Sequence, residues 1–335
     1  MAKADAMTQL PQGLTEFVAD AGWSDARIDP IPGDASFRRY FRLHREDGPG
    51  AMLMHAPPPE EDPSEFLHVA KWLNDQGMRA PEIYSADAPK GWVLLEDFGN
   101  DRMRDWLDDH PDAESAAYEG AIDALVELHR RPAGPFSPYD MPTYLRETAL
   151  FTEWYCPAQS LTVDTQGFEA AWVKALEPMM SRQREGVTVL RDYHAENIML
   201  LGDPTTRAPQ GLIDFQDALV GHRAYDLVSL LQDARRDVSE ELEAAMLARY
   251  QNRANADADF LADYARLGAQ RNAKIVGVFA RLYKRDGKPR YLDFIPRVWK
   301  AMQRDLQHPE LAPVAEWFDS NIPDDLRREL GGTIA

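Results

Sequence analysis

Three oxygen-bearing side chains lie beside two short apolar runs in the second half of the sequence. Asp192 and Asn197 belong to VTVLRDYHAENIML over residues 187–200, and Asp214 belongs to GLIDFQD over residues 211–217. Because apolar residues flank each acidic cluster, the pattern places Asp192 and Asp214 just past the ends of short buried strands, with Asn197 five residues beyond Asp192, and so brings the three side chains towards one point. Asn197 and Asp214 could then hold Mg²⁺, which binds oxygen ligands together with phosphate and water. Asp192 would be left to accept a proton from an attacking hydroxyl.

The spacing D-x-H-x-x-N, followed about twenty residues later by I-D-F-x-D, resembles the aminoglycoside phosphotransferase and choline kinase branch of the protein-kinase-like fold. In that family the first Asp is the catalytic base, and the Asn and the second Asp hold Mg²⁺. Residue by residue, the resemblance assigns these roles to Asp192, Asn197 and Asp214. It also matches His194, and it implies that Asp226 opens the next helix and braces the catalytic loop. The implied cofactors are ATP and Mg²⁺. As a residue type, Asp226 is expected to accept N–H groups at a helix start.

Two longer segments, over residues 212–237 and 270–299, carry a narrower resemblance. They are similar to the bacterial anomeric sugar kinases of peptidoglycan recycling, which phosphorylate N-acetylmuramate and N-acetylglucosamine at the C1 hydroxyl. The similarity runs from Gly33 to Trp299. It implies a small-molecule sugar as substrate and ATP as phosphate donor.

Two other functions stay open on the sequence. An aminoglycoside or amino-alcohol phosphotransferase would need an acidic cleft, which a formal net charge of −19 allows. The cationic segment over residues 271–290 instead favours a neutral or anionic sugar. A nucleotide-binding pseudokinase acting as a regulatory module is a third reading. An absent lysine motivates it, whereas the intact base and metal ligands oppose it.

That lysine is expected on the third strand of a kinase, where it holds the nucleotide phosphates. Here the corresponding stretch, AMLMHAP over residues 51–57, contains none. Neutralising the phosphates then falls to Mg²⁺, to backbone N–H groups or to one of Arg38, Arg39 and His55. A second departure is Leu190, which stands where many relatives have His. Neither departure removes the base or a metal ligand.

Two segments are predicted to bind the nucleotide. Small residues between strand-like runs let backbone N–H groups approach phosphate, and a serine adds a hydroxyl donor. The resemblance also places the entry into the hinge after residues 92–95, where main-chain groups near Glu96 and Phe98 would bind adenine. The residues of the predicted phosphate loop are Gly33, Asp34, Ala35, Ser36 and Phe37.

The predicted substrate residues are an acid and several cations. Asp217 follows Asp214 in the same loop and could bind sugar hydroxyls. Arg271 and Arg281, with Lys284 and Arg285 behind them, are candidates for the lactyl carboxylate of a muramate. Each of these cations could equally be a solvated helix charge.

These side chains must be positioned by two kinds of structure. Residues 1–96 alternate short apolar runs with turn-rich segments, which predicts a small antiparallel sheet with strands over 37–43, 51–54 and 92–95. One helix interrupts it from Pro63 to Gln76, with Asp62 as N-cap and Gly77 as a left-handed stop. Glu65 is expected to complete a reciprocal cap, with a kinase-type ion pair as the alternative.

Residues 97–335 show long helical periods, so the predicted fold is α+β, a two-lobed protein-kinase-like fold with a small antiparallel-sheet N-lobe and a mainly helical C-lobe. The length of 335 residues also exceeds the usual ceiling of about 250 to 300 for one core.

Composition excludes several classes of function. The chain has 56 acidic and 37 basic residues, which argues against non-specific nucleic-acid binding and against binding to anionic membranes. No apolar stretch approaches the ~20 residues of a spanning helix, and the start MAKADAMTQLPQG lacks the apolar centre of a secretory signal. We therefore expect a cytoplasmic protein. The single cysteine, Cys156, excludes an internal disulfide and a cysteine-rich metal site.

Overall fold

A computed structural model describes residues 10–32, 37–183, 186–202 and 210–334 of the chain. These residues form two compact units. The first contains the described residues up to 106 together with 197–202 and 210–217, and the second contains 107–183, 186–196 and 218–334. The first unit is built on a sheet and the second mainly on helices, so the α+β class is confirmed.

The described part of the first unit contains one five-stranded antiparallel sheet, with strands in the order β1-β2-β3-β5-β4. Its central strands are paired so that Phe41 lies opposite Leu53, and Leu53 opposite Leu94. These three side chains are buried and form the core beneath helix α1. The elements are α1 (Leu14–Asp20), β1 (Arg27–Ile31), β2 (Arg39–His44), β3 (Ala51–His55), β4 (Ile83–Asp87) and β5 (Trp92–Glu96).

Helix α2 spans Ser64–Asp75, one residue later than predicted at its start. Asp62 still satisfies a backbone group at the start of this helix, because its Oδ1 accepts the N–H of Ser64 at 2.9 Å. Gly77 adopts a φ of 76° and ends the helix, as predicted. The reciprocal cap by Glu65 was wrong: this side chain is exposed, and within the described ranges it forms neither that hydrogen bond nor an ion pair.

A hairpin from much later in the chain also belongs to the first unit. It consists of β7 (Ile198–Leu200) and β8 (Gln210–Leu212), which are antiparallel. The N–H of Leu200 donates to the Asp101 carbonyl at 2.8 Å, and the N–H of Leu212 donates to the Arg79 carbonyl at 2.8 Å. These backbone bonds attach the hairpin to the first unit.

Across its described residues, the second unit is helical apart from one short antiparallel pair, β6 (Val187–Val189) with β9 (Leu219–Gly221). A π-helical turn, Phe151–Tyr155, and a further turn, Cys156–Ala158, extend α5. The helices from the unit boundary onward are α3 (Met103–Asp109), α4 (Glu114–His129), α5 (Met141–Leu150), α6 (Thr165–Arg182), α7 (Ala224–Leu231), α8 (Glu240–Ala254), α9 (Phe260–Asp286), α10 (Ile295–Asp305), α11 (Ala312–Asn321) and α12 (Asp324–Arg328).

Helix α9 is the central element of the second unit and contacts α5, α7 and α10. It approaches the end of α5 very closely at Gly277, where a Cβ atom would lie 2.3 Å from the carbonyl carbon of Leu150. No side chain fits there, so glycine is required by space and not by φ. The close approach brings the preceding turns of both helices together. Across the described residues, no helix combines the length and apolarity needed to cross a membrane.

Candidate functional site

Asp226 fixes the backbone that carries Asp192. Its side chain is fully buried, and its two oxygens accept the N–H groups of Leu190 at 2.7 Å and Arg191 at 2.8 Å. Arg191 adopts a φ of 71°, a left-handed conformation that is uncommon for a residue with a side chain. Asp226 lies in the first turn of α7 but does not cap it by a side-chain hydrogen bond. Its carboxylate therefore bonds the loop before Asp192 and not a helix start.

Burial also changes the pKa of the Asp226 carboxyl. Desolvation raises the pKa of Asp226 to about 7, against the two backbone N–H groups and the charge of Arg271, which lower it. A carboxyl with this pKa titrates close to neutral pH, whereas an exposed aspartate titrates near its usual pKa of about 3.9.

The Asp192 carboxylate is half exposed, with 48% of its side-chain surface accessible, and its Oδ1 lies 3.9 Å from Arg271 Nη2. Desolvation opposes its charge, but nearby cations, with Lys274 the strongest and Arg271 and Arg191 among the others, hold the pKa of Asp192 below its usual range. Asp192 is therefore ionised at neutral pH, which is the form that can accept a proton.

His194 is 5% exposed, and its Nε2 lies 3.5 Å from Arg235 Nη1. Burial lowers the pKa of His194, so the ring is neutral at neutral pH. The buried neutral ring is part of the packing under the loop that carries Asp192.

A cluster that sequence reasoning missed lies behind Asp192. Glu147, 6% exposed, accepts hydrogen bonds from Arg191 Nη2 at 2.5 Å, from Lys274 Nζ at 2.9 Å and from the hydroxyl of Tyr139. Lys274 Nζ also lies 3.5 Å from the hydroxyl of Tyr225. The available signal was spacing: Lys274 follows Arg271 by three residues, which places both on one face of a helix. Glu147 carried no such signal.

The predicted metal ligands, Asn197 and Asp214, lie in the first unit, at the open end of the β7–β8 hairpin. Asn197 immediately precedes β7, and Asp214 follows β8 by two residues. Asn197 Nδ2 donates to Asp214 Oδ2 at 3.3 Å, and Gln216 Nε2 donates to Asp214 Oδ1 at 3.0 Å. The N–H of Ile213 donates to the Asn197 carbonyl at 3.1 Å and holds the two ends in register. Asp214 is exposed and adopts a φ of 59°, which aspartate tolerates better than most residues.

This pair fits a hard cation. It offers one carboxylate and one amide oxygen at an exposed position, and Mg²⁺ held with nucleotide phosphates needs only one or two protein ligands. In the described residues, the Asp214 oxygens accept hydrogen bonds from the neutral amides of Asn197 and Gln216. These amides carry no charge and so do not compete electrostatically with a divalent cation. Gln216 was not predicted as a member of this site.

Of the predicted phosphate loop, Gly33, Asp34, Ala35 and Ser36 lie outside the described residues. Phe37 is described and is 66% exposed.

At the predicted adenine site, the N–H of Glu96 donates to the Glu82 carbonyl at 2.9 Å. The Glu96 carboxylate pairs with Arg79, whose guanidinium lies 4.9 Å from the centre of the Phe98 ring. The N–H of Glu96 is therefore already used within the sheet, and adenine binding by main-chain groups near Glu96 and Phe98 stays a prediction.

The three candidates for the absent lysine have different environments. Arg38 Nε forms an ion pair with Glu61 Oε2 at 3.1 Å, and both side chains are mostly buried. Arg39 lies over the Phe41 ring at 5.2 Å. The His55 ring stacks on Trp92 at 3.9 Å between centroids, and burial lowers its pKa.

Arg38 has a further link to the metal pair. Burial raises the pKa of Tyr40, and the charges of Arg38 and Asp214 both act on its phenol. The charges of Arg38 and Asp214 therefore both reach this side chain of the first unit.

The predicted substrate residues lie in different parts of the structure. Arg271 lies at Asp192 and is 4% exposed, with Nη2 donating to Ser229 Oγ at 2.8 Å. Arg281 lies about 15 Å further along α9, where the charges acting on it are those of Arg285, Asp286 and Glu153. The structure therefore brings Arg271 to Asp192 but not Arg281. Asp217 is an exposed residue of the first unit, after Asp214.

Known sequences resemble the chain over nearly its whole length. The model of the phosphotransferase enzyme family matches residues 27–269. A Caulobacter vibrioides protein named N-acetylmuramate/N-acetylglucosamine kinase is 37% identical over 353 residues, covering 93% of this chain and 96% of that protein. A Pseudomonas aeruginosa protein of the same name is 37% identical over 323 residues, covering 92% and 93%.

Solved structures agree in fold. An ADP-bound aminoglycoside phosphotransferase superposes with a TM-score of 0.61 at 13% identity, covering 92% of this chain and 99% of that chain. A choline kinase from Streptococcus pneumoniae superposes with a TM-score of 0.62 at 12% identity, covering 89% and 97%. At these identities the comparison establishes a shared fold.

Proposed function

Because the chain belongs to the phosphotransferase enzyme family, we propose that it transfers the γ-phosphoryl group of ATP to the C1 hydroxyl of N-acetylmuramate and N-acetylglucosamine. The relatives from Caulobacter vibrioides and Pseudomonas aeruginosa are named for these two sugars. The C1 position comes from the resemblance of residues 212–237 and 270–299 to anomeric sugar kinases.

The observation that carries the proposal is the charge around Asp192. Three cations, Lys274, Arg271 and Arg191, act on this carboxylate. A polycationic aminoglycoside would be repelled at such a position, because like charges brought together are unfavourable. A neutral amino sugar is tolerated there, and the carboxylate of a muramate is attracted.

The residues at Asp192 and those at the Asn197–Asp214 pair then have distinct roles. Asn197 and Asp214 would hold Mg²⁺, and bound Mg²⁺ supplies positive charge to the nucleotide phosphates. Asp192 accepts the proton as the sugar oxygen bonds to phosphorus, while the bond from phosphorus to the β,γ-bridging oxygen breaks and ADP leaves. Asp226 holds the backbone before Asp192, and orientation of this kind is a large part of phosphoryl-transfer catalysis.

The test is a panel of acceptors with MgATP and the purified chain. We expect ADP release with N-acetylmuramate and N-acetylglucosamine, and a C1 phosphate in the phosphorus NMR spectrum of each product. The methyl glycosides, in which the C1 oxygen is blocked, should be inert because the nucleophile has been removed. Chelation of divalent cations should abolish turnover with both sugars.

Three outcomes contradict the proposal. Phosphorylation of a methyl glycoside moves the reaction to another hydroxyl. Preference for kanamycin-like amines or choline over both sugars makes the chain an aminoglycoside or amino-alcohol kinase. Nucleotide binding with no turnover on any acceptor favours the regulatory pseudokinase.

A further inference from the structure

The cluster of Glu147, Arg191 and Lys274 carries more positive than negative charge. One buried carboxylate accepts hydrogen bonds from a guanidinium and an ammonium, and its third partner, the hydroxyl of Tyr139, is neutral. The single carboxylate of Glu147 is thus shared by two cations. Both cations are mostly buried, with 19% of the Lys274 side chain and 20% of the Arg191 side chain exposed.

Lys274 lies on the face of α9 that carries Arg271. Arg271 Nη2 lies 3.9 Å from Asp192 Oδ1, and Lys274 follows Arg271 by three residues on the same helix face. Among the charges of the described residues, that of Lys274 also acts most strongly on the Asp192 carboxylate. The described groups that act on Asp192 also include Arg191 and the neutral His194 on its own loop, Asp226 on α7 and Arg271 on α9. Lys274 is therefore a counter-charge of Asp192.

Packing fixes the Lys274 ammonium in this place. Gly277 lets α9 approach Leu150 without a side chain between them. Lys274 and Glu147 each precede this contact by three residues, so they meet one helical turn away from it. The hydrogen bond of 2.9 Å to Glu147 then restrains a side chain that is otherwise flexible.

We propose, building on the function proposed above, that Lys274 is a positioning residue for Asp192. Anchored by Glu147, its ammonium keeps the Asp192 carboxylate charged and oriented to receive the proton of the sugar hydroxyl. Lys274 acts through Asp192 and does not read the lactyl carboxylate of the muramate. Glu147 acts one step further back, by holding Lys274.

The test separates charge from shape. Lys274→Gln keeps an N–H donor for Glu147 but removes the charge, Lys274→Arg restores a charge, and Lys174→Gln is the matched change at an exposed lysine of α6. For each variant, kcat and KM are measured for ATP and for both sugars at about pH 5.5 and about pH 8.

Without the cation Asp192 should hold its proton to higher pH, so the acid limb of the kcat–pH profile should rise by about two pH units. We expect the ratio of kcat at about pH 5.5 to kcat at about pH 8 to fall by about two- to threefold in Lys274→Gln, equally for both sugars. The KM values should stay within about twofold of wild type, Lys274→Arg should restore most of the ratio, and Lys174→Gln should match wild type.

An equal loss of kcat at both pH values, or a KM increase for N-acetylmuramate alone, would overturn the role of Lys274. Melting curves check folding, and Lys274→Met repeats the measurement if the Gln variant is unfolded, because Glu147 keeps Arg191 and Tyr139 as partners in both. If the wild type uses another acceptor, the proposed function fails. The same pH comparison with that acceptor then still decides what Lys274 does.

Discussion

Asp192 and Asp214 are acidic residues of one short stretch of sequence, yet the structure places them in very different surroundings. The backbone before Asp192 is bonded to the buried Asp226, and cations from α9 act on its carboxylate. Asp214 is exposed, and its described partners are the amides of Asn197 and Gln216 at 3.3 and 3.0 Å.

The difference fits two kinds of chemistry. A base must stay ionised and aimed, so fixed cations and a rigid backbone serve it. A metal ligand must leave its oxygens available, so weakly bound neutral amides serve it better than a lysine, which would compete with the metal. Substitutions should therefore separate the two sites: those at Asp214 should change activity alone, and those behind Asp192 should also change stability.

The largest expected effect is at the metal pair. Asp214→Ala should lower turnover by at least about 10⁴-fold, and Asn197→Ala should also abolish it, because the divalent cation loses a ligand. Since both side chains lie away from the core, the melting temperature should stay close to wild type in Asn197→Ala and fall only slightly in Asp214→Ala, where alanine fits the φ of 59° less well than aspartate. Turnover is measured at saturating Mg²⁺, with the exposed Asp47→Ala as control. Near-native turnover in either variant would show that the ligand assignment is wrong.

The next effect is at the base. Asp192→Asn should lower turnover by about 10²- to 10⁴-fold, because the amide fills the same space but cannot accept the proton. Nucleotide affinity, measured by titration calorimetry with MgATP, should not change. If affinity falls in parallel with turnover, Asp192 is a metal ligand or a structural residue, and the contrast with Asp214 disappears.

Behind the base, Asp226→Ala should mainly reduce stability. The change leaves the N–H groups of Leu190 and Arg191 without their acceptor, at about 1 to 3 kcal/mol each. We expect a loss of about 3 kcal/mol in the free energy of unfolding, measured in urea, with a fall in turnover because the loop before Asp192 loosens. A stable variant with reduced turnover would place Asp226 in the chemistry instead of the framework.

The same variant has a pH signature. The folded pKa of Asp226, about 7, lies above the unfolded value of about 3.9, so the folded state binds a proton more tightly between these limits. The resulting stabilisation is fully present below about pH 4 and is lost as the pH rises through 7, by at most about 1.4 kcal/mol per pH unit. The stability gap between wild type and Asp226→Ala should therefore be larger at about pH 5 than at about pH 8. A gap that widens with pH would mean that the charged carboxylate is the form that holds the loop.

The sequence predicted what depends on local spacing. Asn197 and Asp214 stand at the ends of two short apolar runs, and pairing of these runs is enough to bring them together, as observed in the β7–β8 hairpin. The fold class followed from the same motif and from the change to helical periods. The edge strands β1 and β4 were not identified, because their half-exposed residues lack a clear apolar pattern.

What the sequence could not show depends on packing between distant elements. Glu147 meets Lys274 only because Gly277 lets α9 approach the end of α5. The backbone bonds that attach the hairpin to Asp101 and Arg79 in the first unit are encoded by no side-chain pattern. Arg271 and Arg281 looked equivalent as cations of one helix, and their placement separated them.

The smallest expected effect concerns the cations of the first unit, where a third strand without lysine leaves the phosphates with little positive charge. Arg38 is the best placed of the three candidates, because its charge and that of Asp214 both act on the Tyr40 phenol. Arg38→Gln should raise the KM for ATP by about tenfold, the lower end of a charge-assisted hydrogen bond, with kcat changed less. Arg39→Gln is the matched control and should stay within about twofold, since Arg39 lies over the Phe41 ring. A larger effect at Arg39 than at Arg38 would assign the phosphates to Arg39. No effect at either would leave charge neutralisation in the first unit to the cation held by Asn197 and Asp214, and would sharpen the contrast with the cation-rich surroundings of Asp192.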